Sequence, residues 1–263
     1  MTDVTSQTPA PDGATPRFAL VMPMLDEAEN AANLLAECVA AATPLGPYEI
    51  CVTNDGSRDA TGEVLAQFAA AHPEANLTII THTRPAGQSM AVLSAVRAAT
   101  APIICTLDGD GQNPPAEVPK LVQPFLDPDA DPELGLVAGQ RVKRQDTFAK
   151  KWASRAANAL RGWMLKDGTR DTGCGLKAYR REAYLALPAF NHMHRYLPAL
   201  FQRDGWKVGH VDVAHRARAM GQSKYTNIGR AIVGLTDLFG VAWLIRRKRA
   251  ITRHDITITR PEA

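Results

Sequence analysis

The sequence predicts an α/β fold: a mostly parallel sheet with flanking helices. Two features carry that prediction. From Arg17 onward, short apolar runs rich in β-branched residues alternate with longer alanine-rich stretches of helical period, the pattern of repeated βαβ units. The apolar runs, such as Ile103-Ile104-Cys105-Thr106-Leu107, carry almost no polar alternation, as strands covered on both faces do. A chain of 263 residues, 45% hydrophobic and 22% charged, can bury one large core, which sets aside the disordered, collagen-like and disulfide-scaffold classes.

In chain order, residues 1–16 are Thr, Pro and small polar residues with neither a basic start nor an apolar stretch, a disordered lead-in rather than a signal peptide. Strands are expected at about 18–22, 49–53, 77–81, 103–107 and 135–139, with helices at 27–42, 59–72, 87–99 and 115–126 between them. The second half is less regular: a basic helix at 147–165, a glycine-rich loop at 168–175 and a strand near 207–213. The main domain is expected to run from 17 to 225, followed by a helix over 226–249 and a tail over 250–263. That helix is interrupted by Asp237 and closed by Arg246-Arg247-Lys248-Arg249, and its apolar part falls short of the about 20 residues that span a bilayer. It suits either a core helix with a solvated basic end or an amphipathic helix lying at a membrane interface.

Composition narrows the function classes. Thirty Lys and Arg against 27 Asp and Glu give a formal charge of +3, too little for a nucleic-acid footprint. Cys38, Cys51, Cys105 and Cys174 are dispersed with no Cys-x-x-Cys, so they read as reduced, packed thiols. His192 and His194 lack the further ligands of a zinc site and read as a surface or hydrogen-bonding pair.

In α/β sheets ligands bind beyond the carboxyl ends of the strands. Three such ends here are rich in polar residues: Pro23 to Asn30 after the first strand, Asn54 to Thr61 after the second, and Asp108 to Pro115 after the fourth. Helix capping accounts for Asp59 and Ser57, which leaves Asp55, Asp108 and Asp110 as ligand-facing candidates. Asp108-x-Asp110-x-Gln112 offers oxygen at alternating positions, suited to Mg²⁺ or Mn²⁺; an EF-hand is excluded because its twelfth position is Pro119. An ion of this kind takes one or two carboxylates plus phosphate oxygens, which points to a nucleoside diphosphate. No Gly-x-Gly-x-x-Gly follows the first strand, and there is neither a phosphate-binding loop with Gly-Lys-Ser/Thr nor a Gly-x-Ser-x-Gly elbow.

The ordered set of Asp26-Glu27 before Asn30, Asn54-Asp55-Gly56-Ser57-x-Asp59-x-Thr61, Gly87-Gln88-Ser89, Asp108-x-Asp110-x-Gln112-x-Pro-Pro, Arg170 to Arg181 and Arg218-x-x-Gly221-x-Ser223-Lys224 resembles the inverting family 2 glycosyltransferases of GT-A fold, and among them the dolichyl- or polyprenyl-phosphate sugar synthases. Two departures stand out: Asn54 replaces a frequent Asp, and Thr172-Gly173-Cys174-Gly175 replaces a Thr-Ser-Gly-Phe pattern. The resemblance implies transfer of a sugar, with inversion, from a UDP- or GDP-sugar to a polyprenyl phosphate; the alternative is a transferase of the same family acting on a glycolipid or polysaccharide. It implies a donor site of Pro23, Asp26, Glu27, Asp55, Gly87, Gln88, Asp108, Arg218 and Lys224. Asp108, Asp110 and Gln112 would hold Mg²⁺ or Mn²⁺, with Asp110, Asp171 and Arg218 catalytic. Asp171 would orient Arg170 or act as a weak base. Arg141, Lys150 and Ser154 would cradle the acceptor phosphate. A lipid acceptor implies peripheral attachment at the cytoplasmic face of a membrane, without nucleic acid and with a homo-oligomer left open.

Overall fold

The structure is a computed structural model that describes residues 14–142, 160–216, 227–247 and 257, with side chains described throughout these spans except at 227–233. Its described strands form one seven-stranded sheet in the order β3-β2-β1-β4-β6-β5-β7. β1 (Phe18–Met24), β2 (Tyr48–Asn54), β3 (Leu77–Thr81) and β4 (Ile103–Thr106) run parallel, as their apolar character predicts. They are joined by α1 (Ala28–Ala42), α2 (Thr61–Ala71) and α3 (Gln88–Ala98), and α4 (Val118–Leu126) leads on to β5 (Leu134–Arg141).

Alternation along β1 shows the layering. Phe18, Leu20 and Met22 face a core built with α1, α2 and α4, whereas Ala19 and Val21 face a second core shared with α3 and the C-terminal helices. Those helices are α5 (160–165), α6 (Arg181–Leu185), α7 (Leu197–Arg203) and α8 (Asn227–Arg246). Of the basic helix expected at 147–165, only 160–165 lies within the described residues, and the tails expected at 1–16 and 250–263 lie almost wholly outside them.

One strand escapes the sequence reading. β6 (Lys177–Arg180) lies between β4 and β5 and is antiparallel to both, while β7 (Lys207–Val213) pairs parallel with β5. Four residues that begin with lysine give too short and too polar a run to register as a strand. Its consequence for the site is large. Thr106 pairs with Lys177, so extending that register by two residues sets Asp108 against Gly175. An alanine Cβ at position 175 would come within 2.2 Å of the Asp108 carboxylate, so any side chain there must displace that carboxylate.

Candidate active site

The carboxyl ends of β1, β2, β3 and β4 lie side by side because these strands are parallel and adjacent, which gathers the polar loops into one rim. Within the rim, the loops after β1, β2 and β3 are tied to one another. Asp26, in the left-handed region at φ 54°, accepts the Arg58 N–H at 2.8 Å, and its own N–H donates to Ser57 Oγ. Glu27 N–H donates to Thr61 Oγ1 at 2.9 Å, and its carboxylate accepts from Asn30 Nδ2. Asp59 caps two helices at once, accepting from the N–H of Ala28 at the start of α1 and of Thr61 at the start of α2. Burial works against its ionised form, but the Thr61 and Ala28 hydrogen bonds outweigh it and hold the carboxyl below its usual range.

Asp55, expected to meet the donor, is buried and engaged within the protein: it accepts from Ala86 N–H and Gly87 N–H, both at 2.8 Å, and from His82 Nδ1 at 2.7 Å. It therefore shapes the loop that leads into α3, where Gly87 sits at φ 89°. Gly56 permits the close approach, since a Cβ there would lie 2.7 Å from the backbone of Arg84 and Pro85. That loop delivers Gln88, whose Nε2 donates to Asp108 Oδ1 at 2.7 Å, so two of the expected donor residues touch each other.

The β4 end is built differently. Asp108 Oδ2 accepts from Asn113 Nδ2 at 2.9 Å, and Asp110 Oδ1 accepts from the Gln112 N–H at 3.1 Å. Burial first, then the negative charge of Asp110, push the Asp108 carboxyl up, against the pull of Lys177, Asn113 and Arg141. Lys177, the first residue of β6, is buried with its Nζ donating to the Cys174 carbonyl, and burial pushes its ammonium down against Cys174, Asp108 and Asp171. A cavity of about 20 Å³ lies here, lined in part by Pro23, Gln88, Asp108, Lys177 and His194. His194 Nδ1 is 2.7 Å from Ser89 Oγ, and burial, followed by the charges of Lys177, Arg195 and His192, lowers its pKa to about 3.

Arg141 ends β5 close to this cluster. Asp171 was expected to orient Arg170 or act as a weak base; the arginine it holds is Arg141. Asp171 grips Arg141 with both oxygens, Nε to Oδ2 at 2.6 Å and Nη2 to Oδ1 at 2.8 Å, while Arg170 bonds Asp212 and Gln140. Burial works to lower the Arg141 pKa, but the Asp171 partner raises it overall. After β7, the Arg216 N–H donates to the Gln112 carbonyl at 2.9 Å, which leads the chain past the Asp108–Gln112 loop just before Arg218. Arg218, Lys224, Lys150 and Ser154 lie outside the described residues. Lys177, Asn113 and His194 were missed as site residues. Lys177 had a signal in its place two residues after a glycine-rich loop, but its pairing with β4 did not.

Parallel strands, a charged rim at their carboxyl ends and an inserted antiparallel strand are a fold shared with other proteins. The model of glycosyl transferase family 2 matches residues 19–187, which span the rim from β1 through α6. The chain belongs to glycosyl transferase family 2. Among curated members, it is 34% identical over 211 residues to the undecaprenyl-phosphate 4-deoxy-4-formamido-L-arabinose transferase of Photorhabdus laumondii, covering 80% of this chain and 63% of that one. It is 33% identical over 209 residues to the enzyme of that name from Pseudomonas aeruginosa, covering 79% of this chain and 60% of that one. The chain thus spans less than two thirds of these relatives. Among solved structures, a Pyrobaculum calidifontis mannosyltransferase in complex with GDP-Man and Mn²⁺ matches at TM-score 0.66 and 24% identity over 93% of this chain and 68% of that one. Glucosyl-3-phosphoglycerate synthase from Mycobacterium tuberculosis with Mn²⁺, UDP and its product matches at TM-score 0.63 and 18% identity, over 88% and 80%. The likeness to these solved structures shows the GT-A fold that the sequence predicts.

Proposed function

We propose that this family 2 member transfers a sugar, with inversion and with the help of a divalent cation, from a nucleoside-diphosphate sugar to the phosphate of a polyprenyl lipid. The observation that carries the proposal is the meeting of the Asp108-x-Asp110-x-Gln112 loop with two basic side chains from the neighbouring strands, Lys177 and Arg141, both of which act on the Asp108 charge. The names of the curated relatives support the lipid acceptor, and the Mn²⁺ and nucleotide-sugar complexes of the solved neighbours support the donor and the ion.

The residues fit the ion. Two carboxylates and an amide on a short loop give hard oxygen donors in excess negative charge, the set that Mg²⁺ or Mn²⁺ completes with phosphate oxygens. Asp110 and Gln112 would hold the ion directly. Asp108, already gripped by Gln88 and Asn113, would fix the loop and contribute charge. When bound, such an ion neutralises the donor diphosphate and stabilises the departing nucleotide. Asp26, Glu27, Asp55 and Gly87 would frame the nucleoside, mostly by shaping backbone. Arg218 and Lys224, which follow the Gln112-bound Arg216, would close over the diphosphate.

The nucleophile needs little activation. A phosphate monoester has a second pKa of about 6 and is largely dianionic near neutrality, so a strong base is superfluous. Asp171 is then a positioning residue: its two-point grip aims the Arg141 guanidinium, which with Lys150 and Ser154 would receive the acceptor phosphate.

The test is radiolabel transfer to polyprenyl phosphate from a panel of UDP- and GDP-sugars with Mg²⁺ or Mn²⁺, comparing wild type with Asp110→Ala. The expected result is lipid-soluble label from one donor, of inverted anomeric configuration, reduced about 10²–10³-fold in the variant as for loss of a group that stabilises transition-state charge. Transfer to a glycolipid or polysaccharide but to no polyprenyl phosphate would keep the donor half and overturn the acceptor.

A further inference from the structure

We propose that His194 is a specificity residue for the transferred sugar: its Nε2–H, together with Lys177 and Asp108, takes one sugar hydroxyl at the cavity beside the ion loop. The proposal deepens the transfer reading above and rests on the donor half of it. Order across the sheet places the sugar. In that reading the loops after β2 and β1 frame the nucleoside, and the end of β4 holds the ion and the diphosphate. The next strand is β6, on the side of β4 away from β1. A sugar joined to the second phosphate continues in that direction, to the cavity that Gln88, Asp108, Gly175, Lys177 and His194 help to line. Its volume of about 20 Å³ has room for one oxygen-sized group.

His194 is presented by a braced segment. His192 Nδ1 lies 2.9 Å from Asp237 of α8, and Tyr196 Oη donates to the Gly234 carbonyl of the same helix at 3.0 Å. Between them in sequence, the His194 backbone N–H donates to Ser89 Oγ at 3.4 Å, and His194 Nδ1 is 2.7 Å from the same oxygen. Ser89 adjoins the Gln88 that grips Asp108. It is buried, and among the described residues Nδ1 is the one acceptor within reach of its hydroxyl. A buried hydroxyl that keeps its hydrogen bond must then donate to Nδ1, so the imidazole carries its proton on Nε2. Burial and the neighbouring positive charges keep the ring neutral. Nδ1 is thus committed to the frame, and the Nε2–H donor is left for a ligand.

The other walls complete a set suited to a hydroxyl. Lys177 is buried and carries three N–H groups, yet among the described residues it donates to one acceptor, the Cys174 carbonyl. Asp108 supplies acceptors: each of its oxygens takes one amide, from Gln88 or Asn113, and each keeps a further lone pair. A hydroxyl accepts two hydrogen bonds and donates one, which matches two donors and a carboxylate. A deoxy position satisfies none of them and leaves buried polar groups without partners, the arrangement by which sites reject analogues that lack an OH.

The test is calorimetry on the full chain with Mn²⁺, comparing UDP, GDP and a panel of UDP- and GDP-hexoses on wild type, His194→Asn and Ser89→Ala. The asparagine amide stands where Nδ1 stands and keeps a polar contact with Ser89, whereas Nε2 is removed. His194→Asn is expected to weaken the bound nucleotide sugar about 10–10²-fold, as for a buried partner left unmatched, and to leave the bare nucleotide within about twofold. Of the monodeoxy analogues of that donor, one should bind wild type worse by a similar factor yet bind His194→Asn as well as the parent sugar does, since both changes remove one contact. Ser89→Ala keeps Nε2 and should weaken the sugar less. Equal weakening of sugar and bare nucleotide, no weakening at all, or a loss in Ser89→Ala as large as in His194→Asn overturns the proposal, because His194 then acts on the diphosphate or on the loop alone. Nucleotide binding that is absent from wild type, or confined to the bare diphosphates, overturns the donor half of the transfer reading and this site with it. A sugar-selective loss without label in any polyprenyl phosphate leaves His194 assigned and sinks only the acceptor.

Discussion

Two carboxylate-bearing regions lie at the same sheet edge and use their charge in opposite ways. At the ends of β1 and β2, Asp26, Asp55 and Asp59 spend their oxygens on backbone N–H groups of neighbouring loops, and the negative charge is absorbed by helix starts and turns. At the end of β4, Asp108 and Asp110 stand beside each other with amide partners and two basic neighbours, and the negative charge is concentrated rather than absorbed. In the reading proposed above, the first region acts mainly as a frame and the second holds the ion. The sequences after β2 and β4 look alike, since each is rich in Asp, Gly and Asn after an apolar strand.

The sharpest way to break this comparison is to remove a carboxylate from the frame. Asp55→Ala deletes the buried acceptor for the Ala86 and Gly87 N–H groups of an exposed loop and for His82, and should destabilise the protein by about 3 kcal/mol, as for charge-assisted hydrogen bonds. Urea unfolding measures this directly. Asp110→Ala, in the site, should leave the unfolding midpoint within the range of an ordinary surface change. Equal losses of stability in the two variants would erase the distinction.

A smaller effect is expected at the seam between the two halves of the sheet. Gly175→Ala places a Cβ 2.2 Å from Asp108 Oδ2 and must push that carboxylate off Gln88 and Asn113. The expected cost is about 1–3 kcal/mol of stability, as for overpacking, with a clear fall in Mn²⁺ affinity read by calorimetry. Retained Mn²⁺ affinity would mean that the carboxylate has room to move without consequence.

What could be read from the chain follows from how locally each feature is specified. β1 to β5 and the intervening helices are legible because each strand is an apolar run, buried except at the sheet edge in β3, and each helix has its own period. The three polar strand ends are legible for the same reason. Which of them concentrates charge is not, because that depends on β6, a four-residue strand whose lysine is paired only through its register with β4. The grip of Asp171 on Arg141 spans thirty residues, and nothing local distinguishes it from a pair with the adjacent Arg170. Sequence leaves His194 as either a surface or a hydrogen-bonding residue, because the partner that decides it, Ser89, is 105 residues away.

That contact joins frame to site, and its effect is confined to acid pH. His194 is kept neutral down to about pH 3 by burial and by the positive charges of Lys177, Arg195 and His192, whereas an unfolded histidine titrates near 6.5. Because the folded value is the lower one, the unfolded chain binds the extra proton between these limits. The contribution of His194 to stability is therefore complete above about pH 6.5 and is lost progressively as pH falls toward 3, at no more than about 1.4 kcal/mol per unit. His194→Gln keeps a hydrogen-bonding side chain beside Ser89 but cannot titrate. Across pH 4–6.5 the variant should lose stability more gently than wild type, measured as unfolding free energy in urea. Parallel curves would show that His194 takes up its proton without disturbing the loop, and would detach it from the chain of contacts that runs from α8 through Ser89 to Gln88 and Asp108.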